Sequence, residues 1–116
     1  MYKHILVPVD GSTASMAALD KAAGVARAYA VPVTAIFVID PYPFTGVGAD
    51  FAYGQDQYLN AARAEAGAAI EAANTRLQQA GVQVDSRVVE SHAVWRGILE
   101  AAETVGADLI VMGSHG

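Results

Sequence analysis

Short runs of unbroken apolarity, set between stretches of helical period, constrain this chain more than any other feature. Ile5-Leu6-Val7-Pro8-Val9, Ala35-Ile36-Phe37-Val38-Ile39 and Leu109-Ile110-Val111-Met112 contain no polar alternation. Such runs read as strands buried on both faces, which is how parallel sheets present themselves. After the first run the period changes. From about Ser12 to Ala30, residues Leu19, Ala22, Ala23, Ala26 and Ala30 recur at spacings of three and four, with Asp20, Gly24 and Arg27 opposite. This predicts an amphipathic helix capped by Ser12 or Thr13.

The alternation continues along the chain. Val31-Pro32-Val33 restarts an extended segment that leads into the second strand, which ends at Asp40. Pro41 to Gly54 is rich in Pro, Gly and aromatic residues and matches no period, so a long loop is expected. Loops of that length are functional, mobile, or surface insertions whose aromatics pack locally. A long helix is predicted from about Gln55 to Ala80, with Ala62, Ala66, Ala69, Ala73, Leu77 and Ala80 on one face and Gly81 at its end. Val82 to Glu90 alternates and is less apolar, as suits a strand at a sheet edge. Ile98, Leu99, Ala102 and Val105 form a third helical stripe closed by Gly106, and Asp108 to Met112 makes the fourth strand. The order β-α-β-loop-α-β-α-β predicts an α/β fold, an open parallel sheet with helices on both faces, because parallel neighbours need right-handed crossovers.

Composition narrows the function classes. A chain of 116 residues suits one domain, residues 1–116, and its 53% hydrophobic content can fill a core. It contains no cysteine, so disulfides and thiolate sites are excluded. The net charge is -5, and the seven basic residues (Lys3, Lys21, Arg27, Arg63, Arg76, Arg87 and Arg96) are scattered. Binding to phosphate backbones requires a basic stripe, so nucleic acid and anionic membranes are poor partners. No segment approaches the ~20 apolar residues of a membrane span. The first apolar run is too short for a signal-peptide core, and the expected location is the cytoplasm.

In open parallel sheets, ligands sit beyond the carboxyl ends of the strands where strand order reverses. If the first and fourth strands are neighbours, Asp10-Gly11-Ser12 and Gly113-Ser114-His115-Gly116 flank such a crevice. Asp10 is placed to accept hydrogen bonds from ribose hydroxyls or to hold a phosphate-bound metal, although an aspartate there also serves as a turn former or cap. The Gly-x-x-Gly turn can bring bare backbone N–H groups to phosphate oxygens, or can be simply a tight turn.

These residues resemble the universal stress protein family. Ile5 to Ser12 is similar to its opening strand and turn, Phe37-Val38-Ile39-Asp40 to its second strand end, and Asp108 to Gly116 to its last conserved strand and turn. The resemblance spans the chain in order and spacing. It implies a five-stranded Rossmann-like sheet, a homodimer, and ATP as ligand. By that resemblance Pro8, Val9 and Asp10 line an adenosine pocket, and the backbone of Val38 meets adenine. Met112, Gly113, Ser114, His115 and Gly116 begin the phosphate-binding signature. In the ATP-binding subclass the signature continues with a glycine and a Ser or Thr, followed by a final strand and helix, which would lie beyond Gly116. An apolar strand such as Leu109 to Met112 is an aggregation hazard when left at an edge. The sequence therefore predicts that further chain follows in the natural protein or that another chain covers this edge.

The remaining polar residues offer less. His4, His92 and His115 fall on different elements, so a protein-built metal site is not expected. A divalent ion arriving with ATP fits better, with Asp10 as its nearest ligand. His115 shapes the turn or contacts a phosphate. Neither Ser12 nor Ser114 sits in a Gly-x-Ser-x-Gly elbow, so they read as a cap and a turn residue. Trp95 reads as a packing anchor, and Glu90-Ser91-His92-Ala93 departs from the Gly- and Pro-containing turn common in the family. Three functional readings follow. The first is a stress- or energy-responsive module that binds ATP or a related adenine nucleotide. The second is a dimeric interaction protein of the same fold without nucleotide. The third is a weak ATPase or nucleotide-dependent transferase, and it ranks last because no positioned base or nucleophile emerges.

Overall fold

The computed structural model describes residues 2–40 and 49–113. Among them the elements are β1 (Ile5–Pro8), α1 (Thr13–Tyr29), β2 (Val33–Ile39), α2 (Ala49–Gln79), β3 (Val84–Glu90), α3 (Val94–Val105) and β4 (Leu109–Ile110). The four strands form one parallel sheet in the order β3-β2-β1-β4. β1 runs beside β2 from Ile5↔Val33 to Pro8↔Ile36, and beside β4 at Ile5↔Leu109 and Leu6↔Ile110. The α/β architecture expected from the apolar runs is therefore present, with β1 flanked on both edges.

Strand side chains alternate between two cores. Ile5, Val7 and Val9 pack with Leu19, Ala22 and Ala26 of α1 and Ala73 and Leu77 of α2. Leu6 and Ile36 pack on the other face with Ile98, Ala101 and Ala102 of α3. Ile5, Leu6, Leu19, Ile36 and Leu77 are all fully buried, and each such side chain stabilises by about 1.5–3 kcal/mol relative to exposure. The alanine-rich helices present small side chains to the sheet, Ala22, Ala23, Ala26 and Ala73 among them.

Several elements differ from the sequence expectation. Helix α2 begins at Ala49, so 49–54 are helical rather than part of a loop. The breakers Pro41, Pro43, Gly46 and Gly48 precede it, and Gly54, like Gly67 further along, costs only about 1 kcal/mol, which a helix of 31 residues absorbs. Residues 41–48 of the expected loop lie outside the described residues. β4 is confined to Leu109–Ile110, although ladder bonds from Asp108 N–H to His4 O (3.0 Å) and Val111 N–H to Leu6 O (3.0 Å) flank it. Trp95 is no packing anchor: it is 61% exposed, with the Arg96 guanidinium 5.4 Å from its ring centroid. Leu99, one turn on, is 54% exposed. The inward arc of α3 is instead Gly97, Ile98, Ala101 and Ala102, and Trp95 and Leu99 flank it.

Caps set the ends of α1. Ser12 is the N-cap and accepts from Ser15 N–H, while Ala30 closes the helix in the left-handed region at φ 56°. A β-carbon in that region costs roughly 1–2 kcal/mol. Ala30→Gly is therefore expected to raise the urea unfolding midpoint, by the equivalent of up to about 1 kcal/mol after glycine's own entropy.

The base of the sheet is clamped by Asp108. Its carboxylate accepts from His4 N–H (3.1 Å) and from Lys3 N–H (3.1 and 2.9 Å), tying the start of β1 to the start of β4. The His4 and Lys3 backbone bonds hold the carboxyl below its ordinary range, against a smaller upward push from burial. A depressed carboxyl is ionised more readily folded than unfolded. Its contribution is complete above the ordinary carboxylate range and is lost as pH falls through the lowered value. Urea midpoints of Asp108→Asn should lie below wild type at neutral pH, and the gap should close in acid; a gap independent of pH would contradict this.

Candidate functional site

Strand order reverses at β1. The chain steps outward from β1 to β2 to β3, then returns through α3 to place β4 on the other side of β1. A cleft of about 300 Å³ opens at the carboxyl ends of these strands. The end of β1 contributes Pro8, Val9 and Asp10, β2 contributes Phe37 and Val38, and the chain after β4 contributes Met112 and Gly113. Ser15 of α1, with Val94 and Ile98 of α3, completes the lining. The volume stands at the lower end of the ~300–1,000 Å³ range of small-molecule sites and suits a base with its sugar.

Six residues singled out from the sequence (Pro8, Val9, Asp10, Val38, Met112 and Gly113) thus share one cleft. Ser114, His115 and Gly116 lie outside the described residues. His4 is elsewhere, at the start of β1, with Nε2 2.7 Å from Thr34 Oγ1. Sequence reasoning missed Ser15, Phe37, Val94 and Ile98 as lining. Phe37 adjoins Val38 on its strand, and Val94 lies one helical turn before Ile98, so carrying the α3 stripe back by four residues would have included it.

The turn carrying Asp10 is braced by its own hydrogen bonds. Val9 N–H donates to Ile36 O at 2.7 Å, which extends the pairing beyond β1. Gly11 then adopts φ 81°, a conformation that disfavours a β-carbon. Asp10 Oδ1 accepts from Ser12 N–H at 2.8 Å, closing a short side-chain turn. Ser12 Oγ accepts from Ser15 N–H at 3.1 Å, and Ser15 Oγ donates to Ser12 O at 3.0 Å and sits 3.4 Å from Asp10 N. Ser15 is a buried polar residue because this turn satisfies it. The result is an exposed, oriented carboxylate beside a largely apolar cleft. As an acceptor it suits sugar hydroxyls or a hydrated cation.

Gly113 sets the opposite wall. A β-carbon there would fall 2.7 Å from both the carbonyl carbon and oxygen of Ala14 and 2.9 Å from Ser15 N. All three are backbone atoms of the first turn of α1, so they cannot step aside without moving the helix. Gly113→Ala is expected to destabilise the fold by about 1–3 kcal/mol, readable as a lower midpoint in urea.

The sequence profile of the Universal stress protein family matches residues 1–116. Universal stress protein MJ0531 of Methanocaldococcus jannaschii is 33% identical over 117 residues, covering 100% of this chain; the chain spans 66% of that relative's length. A crystal structure of a universal stress protein family member from Burkholderia pseudomallei superposes with a TM-score of 0.84 at 31% identity, over 98% of this chain and 83% of that one. A universal stress protein solved in complex with cAMP superposes at 0.66 with 25% identity, over 94% and 70%. A family profile matched across the whole chain, and close superposition on a solved member, lead to one conclusion: the chain belongs to the universal stress protein family.

Proposed function

We propose that this chain binds ATP or a related adenine nucleotide at the β1–β4 cleft and reports stress or energy state through its conformation or partners. The observation that carries the reading is the meeting of three strand ends on one nucleoside-sized, mainly apolar cleft with a single oriented carboxylate, Asp10. Val38, Phe37, Val94 and Ile98 supply apolar faces for a purine, and Asp10 supplies an acceptor for the ribose. The cAMP bound to a relative of the same fold supports an adenine ligand. Gly113, with Ser114, His115 and Gly116, would meet the phosphates through backbone N–H groups, and a magnesium ion arriving with ATP would find Asp10 as its nearest ligand. The proposed setting is the cytoplasm, consistent with the absence of cysteine from the sequence.

Calorimetry with ATP, AMP and cAMP, with and without magnesium, tests the reading. Asp10→Asn keeps an oxygen for Ser12 N–H but removes the charge. It should weaken magnesium-ATP at least about tenfold, equivalent to ~1.4 kcal/mol, and cAMP by less. No heat from wild type with any of the three would overturn the proposal. One observation favours a second reading, a homodimeric interaction protein: Trp95, Leu99 and Met112 are 61%, 54% and 59% exposed. A stable dimer in sedimentation, together with silent calorimetry, would favour it.

A further inference from the structure

Gly97 is an interior residue of α3, where glycine is a poor choice for helix formation. Its backbone supplies no reason, because its φ is not in the left-handed region. The reason is space. A β-carbon at this position would lie 3.0 Å from Ser91 Cβ, 3.1 Å from Val38 Cγ1 and 3.5 Å from Val38 Cγ2. Val38 lines the cleft, and so do Val94 and Ile98 on either side of Gly97 in α3.

Neither neighbour can yield freely. Ser91 is held by its N–H on Ile39 O at 2.9 Å and by its hydroxyl on Ala93 O at 3.0 Å. The backbone of Val38 is fixed by pairing with Val89 of β3, and a β-branched side chain has few rotamers to choose from. A side chain at 97 therefore has two outlets. Either α3 backs away and carries Val94 and Ile98 with it, or Ser91 gives by a few tenths of an ångström and the Val38 isopropyl group turns. Both outlets change the shape of the cleft.

We infer that Gly97 is a positioning residue that sets the separation between the α3 wall and the Val38 wall of the cleft, and so its fit to a flat purine base. This inference rests on the nucleotide-binding reading. It adds a residue that touches no ligand and acts through Val38.

The test measures AMP affinity by calorimetry for wild type, Gly97→Ala, Val38→Ala and the Gly97→Ala/Val38→Ala double variant. Gly97→Ala should lose at least about tenfold in affinity, while its urea midpoint falls only slightly, because the helix propensity gained with alanine offsets part of the crowding against Ser91 and Val38. A merely structural role would lower the midpoint and the affinity together. The double variant should bind better than the product of the two single losses predicts, because removing the Val38 methyls takes away two of the three close contacts of the new methyl and leaves only that with Ser91 Cβ. If Gly97→Ala does not fold, the double variant against Val38→Ala alone carries the test, and equal folding and affinity of that pair support the inference. Wild-type affinity in Gly97→Ala, or strictly additive losses, overturns the inference and leaves the nucleotide reading standing. Absence of AMP, ATP and cAMP binding by wild type overturns both.

Discussion

Everything in this fold leans on β1. Its four residues are hydrogen-bonded on both edges, to β2 and to β4, and its side chains feed both cores. Ile5, Leu6 and Val7 have no exposed surface at all. A strand so enclosed has one direction in which to present chemistry, its carboxyl end, and there the chain turns outward through Asp10, Gly11 and Ser12. The position of the cleft follows from β1 being internal and from the reversal of strand order beside it.

The cleft is then shaped by close approaches more than by charged groups. Asp10 is held by the turn that also caps α1, so the carboxylate and the helix start move as one unit. Gly113 brings the end of β4 against the same helical turn, and Gly97 brings α3 against Val38. The cleft walls therefore come from five elements or their ends, with glycines at two of the junctions. Such walls select by shape, with few polar groups among them.

The buried strands are legible in the sequence because a short apolar run bounded by turn residues rarely forms anything else. Asp10, Val38 and Gly113 are legible with them because they stand at strand ends, whereas Pro8, Val9 and Met112 come only from the resemblance to the family. Ser12 is readable as a cap for the same local reason. What the sequence hides depends on contacts between distant segments. Trp95 and Leu99 share the apolar character of the α3 stripe, and only the packing of Ile98 and Ala101 against the sheet shows that the helix turns those two outward. Gly97 looks like an ordinary helix-weakening glycine until Ser91 and Val38 are seen beside it. The start of α2 is obscured because a lone Gly54 resembles the true breakers before Ala49, although a long helix tolerates the one and not the cluster.

The clamp at Asp108 has a consequence for biosynthesis. Its partners Lys3 and His4 lie 105 and 104 residues earlier, and β4 begins 70 residues after β2 ends, counting from Ile39 to Leu109. At ordinary translation rates of about 5–20 residues per second, a nascent chain waits roughly 4 to 14 seconds between the two. Through that interval β1 has one neighbour and an open, fully apolar edge, the kind of template that recruits other chains.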